Sequence, residues 1–317
     1  MSTQQFVTVT VEEVTAEATG VVSLVLAARD GRALPRWTPG AHIDVVLSRD
    51  LVRQYSLSSA PDEARWRIAV LREPDGRGGS AHLHDRVRAG DNLLVSTPRN
   101  TFPLDLGAER YVLVAGGIGI TPLLPMAAAL EAAGRRWSLL YLGRAADTMA
   151  FTGELARYGD KVTFHRDDES GIVDITAELD RRGAADAGVY ACGPAGLLAA
   201  VEGYAAARPG SRLVLEHFTA APDAQGRADD RPFTVETRDG REISVGAGQS
   251  VLDALSAAGV RSLSSCREGV CGTCETGVLA GEPDHRDRVL SDEERAAGDT
   301  MMICVSRCRG ERLVLDV

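Results

Sequence analysis

Cys266-Arg-Glu-Gly-Val-Cys271-Gly-Thr-Cys274 gathers three thiols into one short stretch, and Cys304 follows after 29 intervening residues. This C-x4-C-x2-C…C order is the spacing of plant-type [2Fe-2S] ligation. A compact loop can aim three thiolates at one cluster while its backbone N–H groups turn toward the sulfurs, and the fourth thiolate arrives from elsewhere. Gly269 and Gly272 suit such a loop, because glycine accepts positive φ and close backbone approach. Zinc, a redox disulfide and buried structural thiols are the other chemistries open to these cysteines. Zinc knuckles favour C-x2–4-C pairs that recur symmetrically, and the second half here holds only Cys304 and Cys308. Cys304 lies in the apolar run MMICVSR that would back a cluster, so it is expected as the fourth ligand ahead of Cys308.

A second group of residues could hold a nucleotide. YVLVAGGIGITPLLPM reads as a buried strand, a glycine turn and a helix start, where a parallel sheet offers N–H groups and a helix N-terminus to a diphosphate. Gly116, Gly117 and Gly119 supply the close approach, Thr121 could cap, and Pro122 fits the first helical turn. The pattern is not G-x-G-x-x-G, and an ordinary strand-to-helix turn accounts for it equally well. Cys192, Gly193 and Pro194 follow another apolar strand at the same carboxyl edge, where a lone cysteine is commonly a small buried hydrophobe. In Arg53-Gln54-Tyr55-Ser56 an arginine suited to a phosphate precedes a tyrosine able to stack on a flavin ring. A surface arginine beside a core tyrosine is the plainer account. The Gly76–Ser80 turn adds backbone donors for an anion or a ring carbonyl, whereas His82 and His84 are weak evidence for a metal.

The elements that must position these groups fall into three textures. From Val7 to Phe102 alternating β-branched runs separated by Gly, Pro and Asp turns predict an antiparallel β-barrel. After Leu106, strand, glycine turn and Ala/Leu-rich helix alternate, which predicts a doubly wound α/β sheet. Residues 220–232 are rich in Asp, Pro and Gly without apolar periodicity and read as a linker. The remainder begins with FTVET-RDGR-EISV around an Asp-Gly turn and continues into a helix with Val251, Leu252 and Leu255 on one face, an α+β unit. The expected domains are therefore 1–106, 107–219 and 233–317, joined by 220–232.

Composition narrows the functions. A chain of 317 residues with 44% hydrophobic and 25% charged residues suits a multidomain globular protein, and no apolar run approaches the ~20 residues of a membrane span. The net charge of −10 argues against nucleic acid or an anionic membrane as partner. Lys161 is the only lysine, which leaves Schiff-base chemistry with one poorly placed candidate. The opening residues carry no basic and apolar signal pattern, so a reducing cytoplasm is expected.

With these motifs placed, the whole chain resembles the phthalate dioxygenase reductase and vanillate O-demethylase reductase family, a branch of the ferredoxin–NADP reductase superfamily with a fused plant-type ferredoxin. The resemblance implies a β-grasp ferredoxin domain after the barrel and α/β domains. It implies FMN held by Arg53, Gln54, Tyr55, Ser56, Val70, Arg72, Gly78, Gly79 and Ser80, with Phe218 of the Glu216-His217-Phe218 segment near the flavin. The Pro98–Leu104 segment, P-R-N-x-F-P-L, also matches. NADH would lie against Gly116, Gly117, Gly119, Thr121 and Pro122, with Cys192, Gly193 and Pro194 beside the nicotinamide. Arg144 could meet a 2′-phosphate, which keeps NADPH open. Cys266, Cys271, Cys274 and Cys304 would hold the [2Fe-2S] cluster. The implied activity is a reductase carrying electrons from NAD(P)H through FMN and the cluster to a terminal oxygenase, with no protein acid, base or nucleophile. A Rieske oxygenase or a cytochrome P450 are the partners in view, a redox-sensing module is the rival class, and a monomer is expected. Residues 233–317 hold 15 acidic and 10 basic side chains, a balance of −5 that suits steering toward a basic patch.

Overall fold

A computed structural model gives the fold for residues 5–48, 51–74, 76–208, 210, 212–220, 224 and 227–317. The chain divides into two compact units, Met1–Glu216 and His217–Val317. Within the segment expected to be a linker, 221–223 and 225–226 lie outside the described residues; so do 1–4, 49–50 and 75 of the expected barrel.

The first unit opens with β1 (Phe6–Ala18), β2 (Val21–Ala28), β3 (Ala41–Ser48), β4 (Leu51–Ser56), β5 (Trp66–Leu71), helix α1 (Gly79–Arg86), β6 (Asn92–Ser96) and the short β7 (Arg99–Asn100). The strands run antiparallel in the order β4-β3-β6-β1-β2-β5, with β7 on β3. Leu57, just past β4, bridges to Ile68 of β5 and brings the two ends of that order together into a barrel. Alternation decides the inside: Val9, Val11, Leu24, Leu26, Ile43 and Val45 have no exposed surface.

The same unit continues with β8 (Arg110–Gly116), α2 (Leu123–Ala132), β9 (Arg136–Gly143), α3 (Thr152–Leu155), β10 (Val162–Arg166), α4 (Asp167–Ser170), α5 (Ile175–Arg181), β11 (Gly188–Cys192), α6 (Ala195–Ala206) and β12 (Arg212–Glu216). Its sheet is parallel throughout, in the order β10-β9-β8-β11-β12. Tyr111 to Ala115 are all fully buried, as a strand covered by helices on both faces must be. Chain order reverses between β8 and β11, the place where open α/β sheets bind ligands. Barrel and sheet share one core, in which Phe102 meets Tyr190 edge to face at 5.7 Å and the Tyr190 hydroxyl accepts the Asp105 N–H at 2.8 Å.

The second unit comprises β13 (Phe233–Thr237), β14 (Glu242–Val245), α7 (Val251–Ala257), β15 (Glu275–Ala280), β16 (Pro283–Asp284), α8 (Asp292–Ala297), β17 (Thr300–Met302), β18 (Arg307–Cys308) and β19 (Arg312–Leu315). A mixed sheet in the order β14-β13-β19-β15-β17 packs on α7, whose Val251, Leu252 and Leu255 are buried and whose Ser250 cap accepts the Asp253 N–H. Gly240, at φ 85, makes the β13–β14 turn. Ala224, from the segment expected as linker, is only 1% exposed in this unit's core. Asp230 is held by Arg286 at 2.5 Å and Arg307 at 3.5 Å, and all three side chains are nearly sealed from solvent.

Candidate functional site

The two glycine-bearing motifs of the sheet, more than seventy residues apart, meet at the switch point. β8 and β11 run in register so that Ala115 stands opposite Cys192. A Cβ on Gly119 would lie 2.2 Å from the Cys192 carbonyl oxygen, and one on Gly116 would lie 2.6 Å from Pro194. Only glycine permits this approach. Gly117, at φ 54, turns the chain with open space beside it. Thr121 does not cap α2: its hydroxyl donates back to the Ile118 carbonyl at 3.0 Å, and Pro122 takes the cap position without a side-chain bond. The result is a smooth edge of small residues with backbone N–H groups, suited to a nucleotide diphosphate.

β12 then brings a carboxyl to the same edge. Glu216 lies opposite Cys192 in the parallel register, and both the Cys192 thiol and the Ser56 hydroxyl donate to it. One Glu216 carboxyl oxygen is buried without a partner among the described residues. Burial raises this carboxyl to about 8, against which the two donors pull down, so it carries a proton at neutral pH. The Cys192 thiol is pushed well up, first by burial and then by Glu216. It is a neutral neighbour of the site and not a thiolate nucleophile. Ser56 comes from the barrel and Glu216 from the sheet, so this cluster joins the two layers.

The flavin candidates converge next to it. Arg53 and Tyr55 sit on β4, opposite Val45 and Ile43 of β3. The Arg53 side chain packs on Gly79 so closely that a Cβ there would lie 2.5 Å from its Cγ. An arginine is thereby laid on the N-terminus of α1, entered through Gly78 at φ 83, where N–H groups and the helix dipole favour a phosphate. Gln54 Nε2 is buried with no hydrogen-bond partner among the described residues, a donor suited to a ring oxygen. Burial, opposed by Arg53, raises the Tyr55 phenol, which stays protonated. These residues fit FMN: a cation and helix end for its phosphate, an aromatic and an amide for its ring.

The remaining expected positions have the following surroundings. The Val70 carbonyl is bonded to His84 Nε2 at 2.9 Å, and the Ser80 hydroxyl accepts the Glu73 N–H at 3.0 Å. Arg72 forks onto Asp85 at 2.6 and 2.9 Å on the surface. Exposed Arg144 accepts the Asp168 N–H on its carbonyl, which places the acidic Asp167–Glu169 run beside it. Phe218 lies in the second unit, 39% exposed.

In the second unit the four cysteines come together. Cys266, Cys271, Cys274 and Cys304 are buried and in no disulfide, with Cys266 hydrogen-bonded to Cys271 and Cys304, and Cys304 to Cys274. Arg267, Gly269 and Gly272 all take positive φ, which coils the loop. The N–H of Glu268 points to Cys266 Sγ at 3.2 Å and that of Thr273 to Cys271 Sγ at 3.4 Å. Contact with Cys266, and then burial, push the Cys271 thiol far above its ordinary value. Four buried thiols this close resist ionising together unless iron supplies the opposing charge. Among the described residues no three His, Cys, Asp or Glu surround a single-ion position. The donor set, its N–H···S bonds and its crowding fit a [2Fe-2S] cluster.

Sequence reasoning found each motif but not the Ser56–Glu216–Cys192 contact. Glu216 entered only as part of an E-x-F match, and the one further signal was its position ending a sheet strand.

Known proteins resemble this chain over most of its length. Residues 234–309 match the 2Fe-2S iron-sulfur cluster binding domain family. The chain is 46% identical over 294 residues to phenoxybenzoate dioxygenase subunit beta of Ectopseudomonas oleovorans, spanning 92% of this chain and 90% of that one. Phthalate dioxygenase reductase, described as a modular structure for electron transfer from pyridine nucleotides to [2Fe-2S], superposes with a TM-score of 0.72 at 37% identity over 98% of both chains. An intact type IV self-sufficient cytochrome P450 monooxygenase superposes with a TM-score of 0.89 at 41% identity, over 98% of this chain but 41% of that longer one.

Proposed function

Because the chain belongs to the phthalate dioxygenase reductase and vanillate O-demethylase reductase family, we propose that it is the reductase component of an oxygenase system, moving electrons from NADH through FMN and a [2Fe-2S] cluster to a Rieske-type oxygenase. It is an oxidoreductase. The observation that carries this reading is the occurrence, in one chain, of the Ser56–Glu216–Cys192 contact at a sheet switch point and of four converging buried cysteines.

When bound, flavin would take electrons as a pair and release them singly, and the cluster would accept them one at a time. The chain's own residues bind and orient. Arg53 and the α1 N-terminus would hold the phosphate of FMN, with Gln54 and Tyr55 at its ring. Gly116, Gly117 and Gly119 would admit the NADH diphosphate, and Cys192–Pro194 would border the nicotinamide. Protonated Glu216 accepts from Ser56 and Cys192 and so keeps a neutral, preorganised joint where flavin and nicotinamide would meet. The acidic Asp167–Glu169 run beside Arg144 favours a ribose 2′-hydroxyl over a 2′-phosphate, in support of NADH. No helix among the described residues is long and apolar enough to cross a membrane. A cytoplasmic monomer is the setting that suits cysteines in no disulfide.

The likeness to a self-sufficient P450 supports a second reading, in which the client is a cytochrome P450. Product formation by purified candidate oxygenases, with this protein as sole electron source, separates the two. NADH-dependent cytochrome c reduction at catalytic rates is expected under either; a stable cluster with negligible turnover would instead indicate a redox sensor.

A further inference from the structure

We propose that Arg67 is a positioning residue for hydride delivery, a clamp that sets how the barrel with its flavin residues meets the nucleotide edge of the sheet. The inference rests on the function proposed above and concerns the first unit alone. Arg67 lies on β5, and its planar guanidinium directs donors two ways. Toward the barrel, Nη2 donates to the Ser58 carbonyl at 2.6 Å and Nε to the Ser58 hydroxyl at 3.3 Å. Ser58 is held in return: its N–H and its hydroxyl donate to the Arg67 carbonyl at 2.8 and 3.1 Å, and the residue is 1% exposed. It stands two residues beyond Ser56, on the stretch that carries Arg53, Gln54 and Tyr55. Toward the sheet, Nη1 pairs with the Glu154 carboxylate at 2.9 Å, and the guanidinium carbon lies 4.8 Å from the centre of the Phe151 ring.

The segment that Arg67 reaches is the one that backs the nucleotide turn. β9 ends at Gly143, where a Cβ would lie 2.3 Å from the Met149 side chain, so the chain folds back tightly on the strand end. Met149, Ala150 and Phe151 then share one buried cluster with Ile120 of the glycine turn and with Val21 and Ala69 of the barrel. Phe151 is 4% exposed and sits at φ 62, ψ 15, immediately before α3. Among the described residues Arg267 alone joins it as a non-glycine with positive φ. A side chain persists in that left-handed region where its surroundings over-determine it, and the guanidinium over the Phe151 ring is part of that hold. Glu154 meets Arg157 only at 4.0 Å, so Arg67 is its nearer cation. The β1–β2 turn adds a second tie to the same segment, with the Thr19 N–H donating to the Asp147 carbonyl at 2.7 Å and the Thr19 hydroxyl to its carboxylate at 3.0 Å. One side chain thus holds both the stretch with the flavin residues and the backing of the nucleotide turn. Hydride transfer demands close alignment, and a ~1 Å misplacement arising away from the chemistry can cost ~10²-fold.

The test is anaerobic stopped-flow mixing of the holoprotein with NADH over a range of concentrations, read at the flavin band and repeated with NADH deuterated at the transferred position. The limiting rate reports alignment, and the half-saturating concentration reports nucleotide binding. Arg67→Ala should keep its FMN and the parental half-saturation while the limiting rate falls about tenfold, with a full deuterium effect on the slowed step. Glu154→Gln preserves the shape of the site and both bonds from Arg67 to Ser58, and should show the same split with a smaller fall. It decides the matter if Arg67→Ala does not hold FMN. Parental limiting rates in the variants overturn the proposal, as does a loss confined to the half-saturating concentration. A parent protein whose flavin NADH leaves unbleached refutes the proposed function instead, so the two failures are distinct.

Discussion

Cys192 and Glu216 stand directly opposite each other at the carboxyl ends of adjacent parallel strands, and the thiol donates to the carboxyl. With Ser56 donating from the barrel, this pair fixes how the two layers of the first unit meet. Neither group is a nucleophile in that state: the thiol is sealed and neutral, and the carboxyl holds its proton.

The protonation of Glu216 sets a pH dependence of stability. Its folded value of about 8 exceeds that of an unfolded carboxyl, so the folded chain binds the extra proton between the ordinary carboxyl range and pH 8. Stability of the first unit is therefore highest below that range, falls as pH climbs through it, and carries the full penalty above 8. Glu216→Gln removes this dependence, on the order of a few kcal/mol. Thermal melts between about pH 5 and 9 should show parent and variant diverging upward in pH, with the variant the more stable at the alkaline end. A constant offset across the range would contradict the assignment.

Gly119 is the least replaceable residue of the nucleotide edge. A methyl there meets the backbone of Cys192 and Gly193 at 2.2 to 2.8 Å, and no flexible side chain can yield. Gly119→Ala is expected to slow flavin bleaching by NADH about 10²-fold while chemical reduction of both centres is unchanged. Unaltered NADH kinetics would show that the edge does not receive the nucleotide.

Cys274→Ser removes one of the four buried thiols proposed to hold the cluster. The variant should lose the cluster's colour and its cytochrome c reduction while keeping NADH-to-ferricyanide activity through the flavin. Simultaneous loss of both activities would contradict separate stations for the two centres.

Arg286 is 5% exposed and bonds Asp230, 4% exposed, at 2.5 Å. Removing it leaves the buried Asp230 carboxylate with only the longer Arg307 contact at 3.5 Å, so Arg286→Ala should destabilise the second unit by about 3–5 kcal/mol. Replacing both partners, Arg286→Met with Asp230→Leu, should recover part of that, the remainder being the loss of the Asp230 carboxylate to Arg307. Urea unfolding followed through the cluster band measures both, and a double variant no better than the single would refute the pairing.

Much of this was legible in residue spacing. The Cys266–Cys274 loop announces itself because a cluster dictates local geometry, and Gly116–Pro122 because a strand-to-helix turn dictates its glycines. Ser56, Cys192 and Glu216 were harder: they sit on β4, β11 and β12, and only packing of barrel on sheet unites them. Asp230 lies in a stretch whose composition reads as linker, yet Arg286 and Arg307 draw it into the second unit. Composition reports the cost of ordering a segment but not the long-range charge that offsets it. Arg72 likewise shows nothing in sequence of its bond to Asp85, which depends on where α1 lies across β5.

In the proposed function NADH, flavin and cluster are connected within a single polypeptide. Anaerobic titration of the purified protein with NADH, followed by its visible spectrum, tests that directly. Overlapping yellow flavin and brown cluster bands are expected, both bleaching as NADH is added. Protein that stays colourless after reconstitution with FMN, iron and sulfide, or whose bands ignore NADH, would contradict it.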